Sequence, residues 1–100
     1  MVTLSVTRSR VAAILQGAAD LLEVEGWDPH INPLVIAIDR AAGFIPGRSS
    51  VDAEQATLEA WEAIAAHLGC ESVTEWETAA GRTQVQVLHA VRSAAQAVTA

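Results

Sequence analysis

The chain has 100 residues, enough for one domain with a single modest core. Its net charge is −6, and all six positive charges are arginine, which excludes the broad basic face of a free-standing nucleic-acid binder. One cysteine, Cys70, excludes an internal disulfide and fits a reducing cytoplasm. No apolar run approaches the ~18 residues of a membrane span, and the first ten residues lack the apolar stretch of a signal peptide.

Residues 1–6 alternate apolar Val2, Leu4 and Val6 with threonine and serine. A lone strand would have no partner, so the expectation is an extended or disordered lead-in or the early turn of the first helix. That helix is predicted from about Thr7 to Glu25. Val11, Ile14, Leu15, Ala18, Leu21 and Leu22 recur at its period. Gly17 in its centre either weakens it by ~1 kcal/mol or lets another helix approach closely.

Gly26 ends the first helix, and Asp28 to Asn32, with Pro29, reads as a loop. Asn32-Pro33 reads as a cap followed by the first helical residue. A short apolar helix is expected over Leu34 to Ala42. Its β-branched Val35, Ile36 and Ile38 make a buried strand the competing assignment, and Gly43 favours helix. Phe44 to Ser49 is a loop.

Ser50 to Leu68 carries the clearest amphipathic pattern. Leu58, Trp61, Ile64 or Ala65, and Leu68 form the predicted apolar stripe, with Glu54, Glu59 and Glu62 mainly off it. Ser50 can cap the first turn, and Gly69 can end the helix in a left-handed conformation. Ser72-Val-Thr-Glu75 is a capping box that opens a short helix from Val73 to about Thr78. Thr83-Gln-Val-Gln86 is a second such start. The last helix is expected from Gln84 to about Val98, with Val87, Leu88, Val91, Ala94, Ala95 and Val98 on one face. The chain therefore reads as an all-α single domain, a small bundle of four or five helices.

Three stretches carry a resemblance. Ile14 to Trp27 is an apolar helix ending in Gly-Trp, Ala56 to Gly69 is alanine-rich and closes in His-Leu-Gly, and Val73 to Ala90 places Trp76 before Gly81-Arg82-Thr83. In these the chain resembles a family of small uncharacterised helical proteins, a domain of unknown function, from actinobacteria and their phages. It departs from that pattern at Glu77-Thr78, where Asn-Asp is common, and at Asn32 to Val35, where a Trp-Cys pair often opens the second helix. The resemblance implies a helical fold and a phage or actinobacterial origin, and it implies no activity.

Three of the four aromatic residues are tryptophans. Trp61 sits in the apolar stripe and is expected in the core, where Trp61→Ala would cost about 3–5 kcal/mol. Trp27 and Trp76 follow a helix end and an acidic turn, where exposure as interface anchors is more plausible. With Glu75, Glu77 and Arg82 they form the candidate interaction residues. Arg82 is expected to bond helix-end carbonyls or to pair with Glu75 or Glu77.

From Ser49 to Gly81 there are seven acidic residues and no lysine or arginine: Asp52, Glu54, Glu59, Glu62, Glu71, Glu75 and Glu77. They read either as a solvated helix surface or as a docking face for a basic partner. His67, Cys70 and His89 lack a fourth ligand for a structural metal site. Cys70 has carboxylates around it rather than a cation, which disfavours a thiolate nucleophile. No phosphate loop or hydrolase motif is present.

The functional expectation is a non-enzymatic helical interaction module without a cofactor. It would be cytoplasmic, phage-encoded and directed at a host protein, and the surplus of apolar residues adds a homodimer. The alternative is a transcriptional regulator built on a helix-turn-helix over Val51 to Thr78, with an acidic would-be recognition helix. No nucleic acid and no membrane is expected as a partner.

Overall fold

The computed structural model describes residues 2–99, with side chains described from Arg8 onward. Five helices follow in order: α1 (Val2–Glu25), α2 (Leu34–Ala42), α3 (Val51–Leu68), α4 (Val73–Glu77) and α5 (Gln84–Thr99). The backbone of residues 2–6 is helical, which corrects the extended lead-in: the alternation at Val2, Leu4 and Val6 belongs to early turns of α1. Met1 and the side chains of those early turns lie outside the described residues.

α1 is the spine. It packs most extensively on α5 and also touches α2 and α3, while α4 rests on α2 and α3. Its apolar stripe delivers Leu15, Ala18, Ala19 and Leu22 to the centre, all with no exposed surface. They meet Leu34, Ala37 and Ile38 of α2, Ala60 and Ile64 of α3, and Val87, Val91 and Ala94 of α5. Each fully buried leucine, isoleucine or valine contributes about 1.5–3 kcal/mol relative to exposure. Alanine at many contact positions brings the helices close together. Gly17 does the same for α1 and α2: a Cβ built there would stand 3.4 Å from the Ala41 Cβ.

Local chemistry fixes the helix ends. Ser50 Oγ accepts from Ala53 N–H at 3.2 Å, and Gly69 closes α3 at φ 66°, a left-handed conformation that costs glycine little. Ser72 Oγ accepts from Glu75 N–H at 3.2 Å. At α5 the box is reciprocal: Thr83 N–H donates to Gln86 Oε1 at 3.0 Å, and Gln86 N–H donates to Thr83 Oγ1 at 3.3 Å.

α2 is helical as expected, but its cap is not Asn32. Pro33 takes the cap position and has no side-chain acceptor to offer. Asn32 faces the other way, with backbone bonds to Asp28 and a side-chain N–H donated to the Gly26 carbonyl at 2.8 Å. The carboxylate that receives the start of α2 is Glu77, from α4.

The α3 stripe is also corrected. Ala56, Thr57, Ala60 and Ile64 form its buried face. The larger Leu58, Trp61 and Leu68 fall about one step around the helix and are only part-buried or exposed. Small residues take the inner face because α3 packs closely against α1, α2 and α5. Thr57 satisfies its buried hydroxyl by donating to Asp39 Oδ1 at 2.6 Å, which ties α3 to α2.

Arginines clasp the outside of the bundle. Arg40 grips Glu25 at 2.6 and 2.9 Å. Arg10 joins α1 to Glu59 and Asp52 on α3 at 2.5 and 3.1 Å. Arg92 reaches Glu23 and, at 3.4 Å, Asp20. Exposed pairs of this kind contribute about 0–1 kcal/mol each. Among the described residues no helix is long and apolar enough to cross a membrane.

Candidate functional site

Where α3 turns its bulky side chains away from the core, a cleft of about 330 Å³ opens toward α4. Val35, Leu58, Trp61, Ala65 and Val73 supply its apolar lining, and Glu62, Glu71, Ser72 and Thr74 supply polar groups. The spacing 58-61-65 places the α3 residues on one face. Val73 enters because the Ser72 cap fixes where α4 begins. Leu58 is 43% exposed, and Glu62 and Glu71 are solvent-facing. Trp61 packs against the core cluster from the outside, and its indole N–H is buried without a partner among the described residues. A volume near 330 Å³ lies at the lower end of ligand clefts, roughly 300–1,000 Å³.

The charge map sharpens around this cleft. Of the seven acidic residues in α3, the α3–α4 turn and α4, Asp52 and Glu59 pair with Arg10, and Glu77 is buried. Glu54, Glu62, Glu71 and Glu75 have no ion-pair partner among the described residues, and all four are exposed.

Glu77 corrects the expectation of a uniformly solvated acidic face, because only 1% of it is exposed. Its Oε1 accepts from Trp27 Nε1–H at 2.9 Å and from Leu34 N–H at 2.7 Å, and Oε2 accepts from Val35 N–H at 3.4 Å. A helix N-terminus favours a negative charge there, so α2 and the Trp27 indole satisfy this carboxylate without a cation. Trp27 is half-buried and packs against the core, and its backbone N–H donates to Gln84 Oε1 at 2.9 Å.

Trp76 is half-buried, with the Arg82 guanidinium 4.0 Å from its ring centroid. Arg82 Nε–H also donates to the Trp76 carbonyl at 3.0 Å, a helix-end bond of the kind expected. Arg82 forms no ion pair with Glu75 or Glu77 among the described residues. Glu75 is exposed. The structure therefore draws Trp27 and Glu77 together inside the protein and Trp76 and Arg82 together at its surface. None of the four lines the α3–α4 cleft.

Sequence reasoning missed that cleft because it assigned Leu58 and Trp61 to the core. The available signal was the width of the apolar pattern in α3: alanines at 56 and 60 already complete one stripe, which leaves Leu58 and Trp61 beside it.

A second cleft, of about 420 Å³, lies on α5 between Val85, Leu88, His89, Arg92, Ser93 and Gln96. Arg92 in its lining already holds Glu23 and Asp20. His67 and His89 are exposed and Cys70 is half-buried. Among the described residues no three His, Cys, Asp or Glu side chains converge as metal ligands.

No curated protein and no solved structure matches this chain. One family model does match, over residues 33–97, from the start of α2 through nearly all of α5. The matched region holds Glu77, the Trp76–Arg82 pair and every residue lining the α3–α4 cleft, and it leaves out α1 and Trp27. By that match the chain belongs to the family of unknown function DUF6197.

Proposed function

We propose that this chain is a helical protein-interaction module that performs no reaction, and that its protein partner docks in the α3–α4 cleft. The observation that carries this reading is the position of Leu58 and Trp61. Two large apolar residues stand at an open cleft while alanines fill the inner face of the same helix. An aromatic and aliphatic patch inside a polar rim is the usual anatomy of an interface centre. In the setting that the resemblance implies, a phage gene expressed in an actinobacterial cytoplasm, the partner is a host factor.

A helix-turn-helix regulator has less support. α4 has only five residues, its Glu77 is buried, and it carries no arginine, lysine, asparagine or glutamine to pair with guanine or adenine edges.

Capture from a host lysate tests the docking reading with two charge insertions at exposed apolar positions. Leu58→Asp sits in the cleft, whereas Val85→Asp sits on α5, where Val85 is 77% exposed. The wild type and Val85→Asp should retain the same protein in stoichiometric amount, and Leu58→Asp should lose it. Retention by all three would contradict docking in this cleft.

A further inference from the structure

We infer that the occupant of the α3–α4 cleft is a short amphipathic protein segment whose apolar side is bordered by arginine or lysine. This rests on the reading of the cleft as a docking site and adds the chemistry of what docks. The apolar component is set by Val35, Leu58, Trp61 and Val73, which can receive aliphatic or aromatic side chains but offer no charged group to a polar ligand. The basic component is set by what the fold does with its carboxylates. Arg10 pairs with both Asp52 and Glu59 and offsets one of their two charges, and the interior takes Glu77. Glu54, Glu62, Glu71 and Glu75 remain without ion-pair partners among the described residues.

Glu62 and Glu71 line the cleft itself. Glu54 precedes Leu58 by four residues, which puts it on the same face of α3. No lysine or arginine occurs between Ser49 and Gly81 to offset them. An apolar cleft with an uncompensated acidic rim attracts cations and repels anions.

The rival occupants meet this field with the wrong sign. A second copy of the chain, also at −6, would bring an identical acidic rim against the first if the two clefts faced each other. Nucleic acid would present phosphates to the same carboxylates.

The test titrates the full chain into three dye-labelled synthetic peptides and follows fluorescence anisotropy at low and high salt. One peptide is a leucine–lysine amphipathic helix, the second a scramble of the same composition, and the third a leucine–glutamate amphipathic helix. The first should bind at least tenfold more tightly than either control. Glu62→Gln with Glu71→Gln, both at exposed positions, should weaken it about three- to tenfold and remove most of its salt dependence. Leu58→Ala should weaken it at both salt concentrations.

Equal binding of the lysine and glutamate peptides would overturn the basic occupant and leave the cleft as a docking site. Binding indifferent to Leu58→Ala would place the peptide elsewhere and overturn the chemistry inferred for the occupant. Failure of all three peptides would overturn the chemistry inferred for the occupant, with docking itself still decided by lysate capture. A chain dimer that dissociates as the lysine peptide binds would assign the cleft to a second copy.

Discussion

Glu77→Ala is the substitution with the largest expected consequence. The side chain is buried, and it satisfies the Trp27 indole N–H at 2.9 Å, the Leu34 N–H at 2.7 Å and, more weakly, the Val35 N–H at 3.4 Å. Truncation leaves at least two donors without an acceptor. Each hydrogen bond to a carboxylate contributes about 1.5–3 kcal/mol, so losing the two shorter ones costs about 3–6 kcal/mol in all. A domain of this size is stable by roughly 5–15 kcal/mol. With about 4–8 °C of Tm per kcal/mol, the melt should fall by at least about 12 °C. Glu77→Gln keeps an oxygen for Trp27 and Leu34 but turns an amide N–H toward Val35, so about 1–2 kcal/mol should be lost. Trp27→Phe removes one donor together with its need for an acceptor and should cost about 1 kcal/mol. Combined with Glu77→Gln it should be non-additive, because the two side chains share a bond. Chemical denaturation followed by circular dichroism measures all four variants. A Glu77→Ala loss below about 1 kcal/mol would refute the reasoning, since it would mean that water replaces the carboxylate at no net cost.

Other expectations follow from the same contacts. Trp61→Phe keeps the apolar wall of the cleft and removes an indole N–H that has no partner among the described residues. Its stability should stay within about 1 kcal/mol of wild type, and a loss above about 2 kcal/mol would reveal an acceptor for that N–H. Because Trp61 is only part-buried, Trp61→Ala should cost about 1–3 kcal/mol, less than a core tryptophan. Thr83→Ala breaks half of the reciprocal cap on α5 and should cost about 1 kcal/mol by thermal denaturation. The pH dependence has two opposed parts. Arg40 hydrogen-bonding holds Glu25 below its ordinary 4.5, and the Ile31 and His30 backbone N–H groups hold Asp28 below its ordinary 3.8. Their contribution is present above those values and is lost as pH falls through the lower folded ones. Burial raises Asp39 above 3.8, partly offset by the Thr57 bond, so its contribution is present below that value and is lost as pH rises through the higher folded one. Urea midpoints across acid pH should therefore show Glu25→Gln and Asp28→Asn flattening the acid side and Asp39→Asn removing the opposite slope. An unchanged Asp39→Asn profile would contradict its assignment.

Much of the fold is legible in the sequence because its signals are local. Ser50, Gly69, Ser72 and Thr83 mark helix ends through bonds spanning three or four residues. Ser50, Gly69 and Thr83 act as the sequence suggests, and Ser72 makes the forward bond of its box without a return bond from Glu75 among the described residues. The α1 and α5 stripes are legible too, since period alone selects Leu15, Leu22, Val87 and Val91. What the sequence conceals is long-range. Glu77 looks like one more surface glutamate in an acidic turn, and its role depends on Leu34, 43 positions earlier. Asn32 looks like a cap because nothing local shows that Glu77 will take that place. Leu58 and Trp61 look like core because hydrophobicity does not say which of two adjacent apolar faces meets the bundle. Small Ala56 and Ala60 win the inner face through close packing, and that choice creates the candidate site.

The three indole N–H resonances give the most direct test of docking at the α3–α4 cleft. Trp27 is held by Glu77, Trp76 lies under Arg82, and only Trp61 lines the cleft. In a ¹⁵N-labelled sample titrated with the captured partner, the Trp61 resonance should shift while that of Trp27 stays in place. A shift at Trp76 with Trp61 unmoved would contradict the account.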